Sequence, residues 1–88
     1  MHKKNAMNKR KFLQRIIQNQ NNIKFNEFVI LIESFDFTLD RVSGSYHIFK
    51  HLDVSVIINL QKVKDEVKPY QVRQLLKIIE KYNLNLND

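Results

Sequence analysis

Cysteine and tryptophan are missing from this chain of 88 residues, and glycine and proline occur once each. Without cysteine there is neither a disulfide framework nor a thiolate for zinc, so the fold rests on core packing and suits a reducing compartment. Long apolar runs are missing too. The longest, Phe28 to Ile32, is far too short for the core of a signal peptide or for a membrane span. The expected location is the cytoplasm, with no membrane partner. Three histidines, His2, His47 and His51, have no carboxylates or cysteines at metal-ligand spacing. A glycine-rich phosphate loop, a nucleophile elbow and a paired-carboxylate site are likewise absent. No metal and no cofactor are expected.

What remains is an ordinary globular composition, 43% hydrophobic and 27% charged, which points to a folded chain rather than a disordered one. At this length the chain forms one small domain that buries somewhat over roughly 60% of its unfolded surface. Fifteen Lys and Arg against nine Asp and Glu leave a net charge of +6, which attracts a polyanion by releasing its counterions. Nucleic acid is the first partner to consider, although the same charge serves simple solubility equally well.

The amino terminus carries Lys3, Lys4, Lys9, Arg10 and Lys11 with little apolar content. It reads as a frayed basic arm followed, from Asn8, by a short amphipathic helix with Phe12, Leu13, Ile16 and Ile17 at helical spacing. The run Gln18-Asn19-Gln20-Asn21-Asn22 ends that helix, because these side chains compete for backbone hydrogen bonds. Residues 1–22 are thus set apart from a main domain over 23–88. Asn26 is the expected N-cap of the first core helix, in which Phe28, Leu31, Ile32 and Phe35 recur at i, i+3, i+4 and i+7. Phe37 to Val42, Ser45 to Lys50 and Val54 to Leu60 read as three strands, with a turn at Leu52-Asp53, and their short connections imply an antiparallel meander. Residues 62–68 read as a charged loop. Pro69 opens a second core helix with Val72, Leu75, Leu76, Ile79 and Tyr82 inward and Lys68, Gln71, Arg73, Gln74, Lys77 and Lys81 outward. A weakly structured tail follows, from which Leu84 or Leu86 packs back.

The predicted fold is α+β: an α-β-β-β-α unit whose three-stranded antiparallel sheet is covered on one face by two helices, with an extra amino-terminal helix. Double-stranded-RNA-binding domains share this layout and read duplex shape and phosphates.

The chemistry concentrates in Ser43-Gly44-Ser45-Tyr46-His47-Ile48-Phe49-Lys50-His51. The only glycine marks a turn that needs positive φ or a close approach to the backbone. On the strand that follows, Tyr46, Ile48 and Lys50 form one row and His47, Phe49 and His51 the other. Phe49 is the better core residue, which turns Tyr46 and Lys50 outward, joined by Arg41 from the neighbouring strand. In the functional reading Tyr46, Lys50 and His47 surround a phosphate that approaches over Gly44 and Ser45. In the structural reading this is a hairpin with a necessary glycine, a packed aromatic and two ordinary histidines.

The run GSYHIFKH, preceded by a short helix and FDFTLDRVS and followed by INLQ and KPYQVRQLLKIIEKYNL, resembles the HicA family of bacterial toxins over residues 24 to 84. Gly44-Ser45 and Lys68-Pro69 match the family pattern in order and spacing. The resemblance implies a double-stranded-RNA-binding-domain-like fold, cleavage of mRNA without a cofactor, and neutralisation by a HicB-type antitoxin that covers the active site. The family's catalytic histidine directly follows Gly-Ser, and Tyr46 stands there. His47 matches a frequent second histidine that is not the catalytic one. Asp36 replaces a usual glycine and Leu52 a usual proline.

Cleavage of RNA by its own 2′-hydroxyl needs a base and an acid near neutrality, and imidazole suits both. A phenol is almost wholly protonated at neutral pH and makes a poor base, but it donates a proton, binds a phosphate or stacks on a base. The expected function is a metal-independent mRNA endoribonuclease of a toxin-antitoxin module. Tyr46 and His47 are its catalytic candidates, and Arg41, Gly44, Ser45 and Lys50 its RNA-binding candidates. The rivals are a relative that binds RNA without cleaving it, and a module that docks an antitoxin through its sheet or its last helix.

Overall fold

A computed structural model describes residues 7–87, and the expected basic arm over the first half-dozen residues, with His2, lies outside them. The described elements are α1 (Lys9–Gln18), β1 (Ile23–Lys24), α2 (Phe25–Glu33), β2 (Phe37–Ser43), β3 (Tyr46–His51), β4 (Ile57–Gln61), β5 (Glu66–Val67) and α3 (Pro69–Tyr82). Strands β2, β3 and β4 form the anticipated antiparallel meander. The α-β-β-β-α plan of α2, β2–β4 and α3 is therefore the fold, with α1 added in front. No helix among the described residues is long and apolar enough to cross a membrane.

Helix α1 starts where Asn8 accepts the Lys11 backbone N–H at 3.1 Å, an N-cap that satisfies one of the orphan donors of the first turn. It stops in the polar run for the anticipated reason. The Gln20 amide donates to the Ile16 and Ile17 carbonyls, and Asn19 Oδ1 takes the Asn21 N–H. Phe12 and Ile16 are buried in the same core as Phe28, Leu31, Ile32, Phe37, Phe49, Ile58, Leu60, Val72 and Leu75.

Helix α2 begins earlier than expected. Its cap position is Lys24, without a side-chain cap, and Asn26 is an exposed residue of the first turn. Burial decides this: Ile23 and Phe25 are both in the core, and the Phe25 N–H finds the Asp65 carbonyl at 2.8 Å instead of a side chain. The supposed charged loop 62–68 is thereby partly ordered. Val63 and Glu66 bridge across a two-residue turn in which Lys64 and Asp65 both have positive φ, and Glu66–Val67 pairs antiparallel with Ile23–Lys24 as a second, small sheet. A sequence scan for alternating apolar residues misses strands of two residues, because such strands are too short to show a period.

The third strand of the meander starts at Ile57 rather than Val54. Residues 52–55 instead wrap around His51, whose Nδ1 accepts the N–H groups of Asp53 and Val54 at 3.0 and 3.1 Å. Pro69 is the first residue of α3, and Asn83 ends the helix in the left-handed region, as a short polar residue tolerates. The expected weak tail is pinned. Leu84 and Leu86 pack on the core, and Asn87 donates to the Ser34 carbonyl and to Asp36 Oδ1 at 2.8 and 2.7 Å. Asp36 has φ +69°, a left-handed angle that a short polar residue tolerates.

Candidate nucleic-acid interface

Two features of the strands decide which side chains reach the open face of the sheet. The first is the β2–β3 turn. Ser43 pairs with Tyr46 around Gly44-Ser45, and only Gly44 of that central pair has positive φ, the pattern of a two-residue II′ hairpin turn. A Cβ built on Gly44 meets no protein atom within 4 Å, so the backbone angle requires the glycine and the space above it is open. Ser45 fastens the turn to β4, its carbonyl taking the Lys62 N–H at 3.0 Å.

The second feature is a bulge. Leu39 faces Phe49 and Arg41 faces Ile48, with Asp40 as the extra residue. Strict alternation from Phe37 would send Arg41 toward the helices. The added residue reverses it, and Arg41 joins the outward row while Val42 pairs with His47 on the helix side. The apolar spacing 37, 39, 42 carries this break and is the signal in the sequence that points to a bulge.

Directly opposed residues of an antiparallel pair share a face. The open face therefore carries three cross-strand rows: Ser43, Tyr46 and Gln61; Arg41, Ile48 and Asn59; Thr38, Lys50 and Ile57. Tyr46 is 42% exposed, and Arg41 and Lys50 are exposed as well. Tyr46 and Lys50 lie about 13 Å apart along the strand, so they border phosphates about two steps apart on a chain rather than enclose one.

Sequence reasoning passes over Asp40, yet its place matters. Its carboxylate takes Arg41 Nη1 at 2.9 Å and Lys50 Nζ at 3.5 Å. The two cations expected to receive phosphate are held by one anion between them. Part of their charge is thereby already compensated.

His47 and Tyr46 are not brought together. His47 faces the helix side, half-buried, its ring edge-on to Phe25 at 4.9 Å and its Nδ1 buried without a hydrogen-bond partner. Lys62 Nζ lies 5.6 Å from the centre of the same Phe25 ring. His51 also faces the helices, edge-on to Phe37 at 4.9 Å. No imidazole among the described residues lies on the open face. Nor do the described residues contain a group of three or more His, Asp or Glu placed to hold a metal ion.

A family model described as the HicA toxin of bacterial toxin-antitoxin matches residues 25–80, well over half of the chain. The chain belongs to the HicA toxin family. HicA toxins are the toxins of toxin-antitoxin modules, generally ribonucleases, and their partners are HicB antitoxins. The matched stretch of this HicA toxin runs from α2 into the last turns of α3. It contains the whole meander with the Gly44-Ser45 turn and leaves α1 and β1 outside. Comparison with curated proteins and with solved structures gave no match.

Proposed function

We propose that this HicA toxin is an RNA-directed toxin, an endoribonuclease that acts on mRNA in the cytoplasm without a metal and is neutralised by a HicB-type antitoxin covering the open face of its sheet. The observation that carries this reading is the placing of Tyr46, Arg41 and Lys50 on one uncovered face beside the open Gly44-Ser45 turn. A phosphodiester lying between Tyr46 and Arg41 meets a phenolic donor on one side and a guanidinium on the other, with Lys50 on a phosphate further along the chain. The 2′-oxygen bonds to phosphorus, the bond to the 5′-oxygen breaks, and the 2′-hydroxyl proton passes to water while the leaving oxygen receives a proton. Tyr46 supplies that proton or a hydrogen bond to the phosphorane, and Arg41 offsets its negative charge. A part for His47 requires the start of β3 to turn over. Residues 1–22 stand outside this chemistry as an added basic segment.

One observation favours a second reading: with both described imidazoles on the helix side, the scaffold binds RNA without cleaving it. A transcript incubated with the purified chain in excess chelator separates the two. Under the first reading the transcript is cut, Tyr46→Phe slows cutting by about a hundredfold, and His47→Gln has little effect. Under the second, RNA is bound and left intact, and Tyr46→His gains cleavage. Cutting that survives Tyr46→Phe and disappears in His47→Gln would overturn the assignment of the proton donor.

A further inference from the structure

The cations of the open face are tied to Asp40, but those of α3 are not. Arg73, Lys77 and Lys81 border a groove of about 500 Å³ between α3 and the start of β4, whose floor and ends are Val56, Ile57, Ile78, Tyr70 and Tyr82. No carboxylate lines it, and none of the three cations has an acidic partner among the described residues. The three recur every fourth residue, so each lies about 6 Å further along the helix on nearly one line. Tyr70 is 55% exposed and Ile57 58%. Ile57 belongs to two surfaces at once, since it pairs with Lys50 on the open sheet face and also lines the groove. The groove is therefore continuous with the candidate cleavage face over the β4 edge.

We propose that this groove is a track for single-stranded RNA, holding the segment that flanks the phosphate presented to Tyr46. The inference rests on the RNA-directed reading of the open face and adds the course of the strand. Evenly spaced cations answer the repeat of a phosphodiester backbone, and tyrosines offer planes on which unpaired bases stack without regard to sequence. The open face supplies cations whose charge is partly spent on Asp40, and the groove supplies cations that no carboxylate compensates. Most of the salt dependence of binding then originates on α3.

The test uses the full chain and two labelled oligonucleotides made resistant to cleavage by 2′-O-methylation, one of about four nucleotides and one of about twelve. Binding is measured by fluorescence anisotropy across a series of salt concentrations. The groove side chains are exposed, so the triple variant Arg73→Gln, Lys77→Gln, Lys81→Gln is expected to keep its fold, with circular dichroism as the control. The expected result is at least a tenfold loss of affinity for the longer strand, with the slope of log affinity against log salt shallower by about 2, while the shorter strand binds as before. Tyr70→Ala weakens the longer strand with its slope unchanged. The track is overturned if the triple variant binds both strands like the unaltered chain while Lys50→Gln still weakens them. That outcome leaves the open face as an RNA site. It is also overturned if the triple variant keeps its RNA affinity and loses a co-expressed acidic antitoxin, because the groove is then a protein dock. If the unaltered chain binds neither strand, the RNA-directed reading falls and the track with it.

Discussion

Gly44 has φ +60°, and a side chain added there meets open space. The two facts separate the cost of the backbone from the cost of crowding. In Gly44→Ala no atom is displaced, yet the left-handed region costs an L-residue about 1 to 2 kcal/mol. Urea unfolding is expected to show that loss with an unchanged slope. A much smaller loss would mean that the turn relaxes to another type. The sequence exposes this position because a lone glycine between two strand-forming runs breaks both, and a turn between strands is where such a break is tolerated. Asp40 stays hidden for the opposite reason. An acid beside an arginine in a strand looks solvated until a bulge puts it on the same face as Lys50. Its removal by Asp40→Asn frees Arg41 and Lys50 for phosphate. Exposed ion pairs contribute at most about 1 kcal/mol each, so with two pairs released RNA affinity at low salt is expected to rise by about fivefold to at most about thirtyfold. The salt slope should steepen by up to about 0.7 for each further phosphate neutralised. Weaker binding in Asp40→Asn would show that the carboxylate orients the cations more than it competes with the ligand.

At the scale of elements, α3 does more than cover the sheet. A strand at the edge of a sheet carries unpaired backbone groups that invite another chain. At β4 the Gln71 amide answers them, donating to the Asn59 carbonyl at 2.8 Å and accepting the Gln61 N–H at 3.3 Å, in a side chain only 3% exposed. The helical pattern puts Gln71 on the wet face of α3. Its burial follows from the strand edge beside it, which periodicity along one element does not describe. Gln71→Leu keeps the volume but leaves a carbonyl and an N–H unanswered, with an expected loss of about 1 to 3 kcal/mol in chemical unfolding. Faster amide exchange at Gln61 should accompany it. The meander and both core helices are legible in the sequence because the helices repeat apolar residues at i, i+3, i+4 and i+7 and the strands are runs of strand formers separated by turn residues. The β1–β5 pair is not, since two residues show no such pattern. The start of β4 is misplaced by the sequence pattern because Val54 and Val56 are strand formers, yet the backbone at Asp53 and Val54 is held by His51.

For the whole molecule, composition draws a boundary at residue 22, and the family match begins at residue 25. The core does not stop there. Phe12 is 5% exposed and Ile16 is fully buried, both in one cluster with the residues under the sheet. Arg15 adds an exposed ion pair with Glu27 of α2 at 3.5 Å, too weak by itself to dock a helix. Apolar burial is what joins α1 to the rest, and in so small a domain little stability is held in reserve. If α1 is part of the cooperative unit, Phe12→Ala lowers the stability of the entire chain by about 3 to 5 kcal/mol, the usual cost of emptying a buried phenylalanine site. Global unfolding followed by circular dichroism and amide exchange in β3 should then shift together. If α1 is an appendage, exchange accelerates within Lys9–Gln18 alone and β3 keeps its protection. That result would reinstate residue 22 as a folding boundary and confine the structural role of α1 to carrying basic side chains.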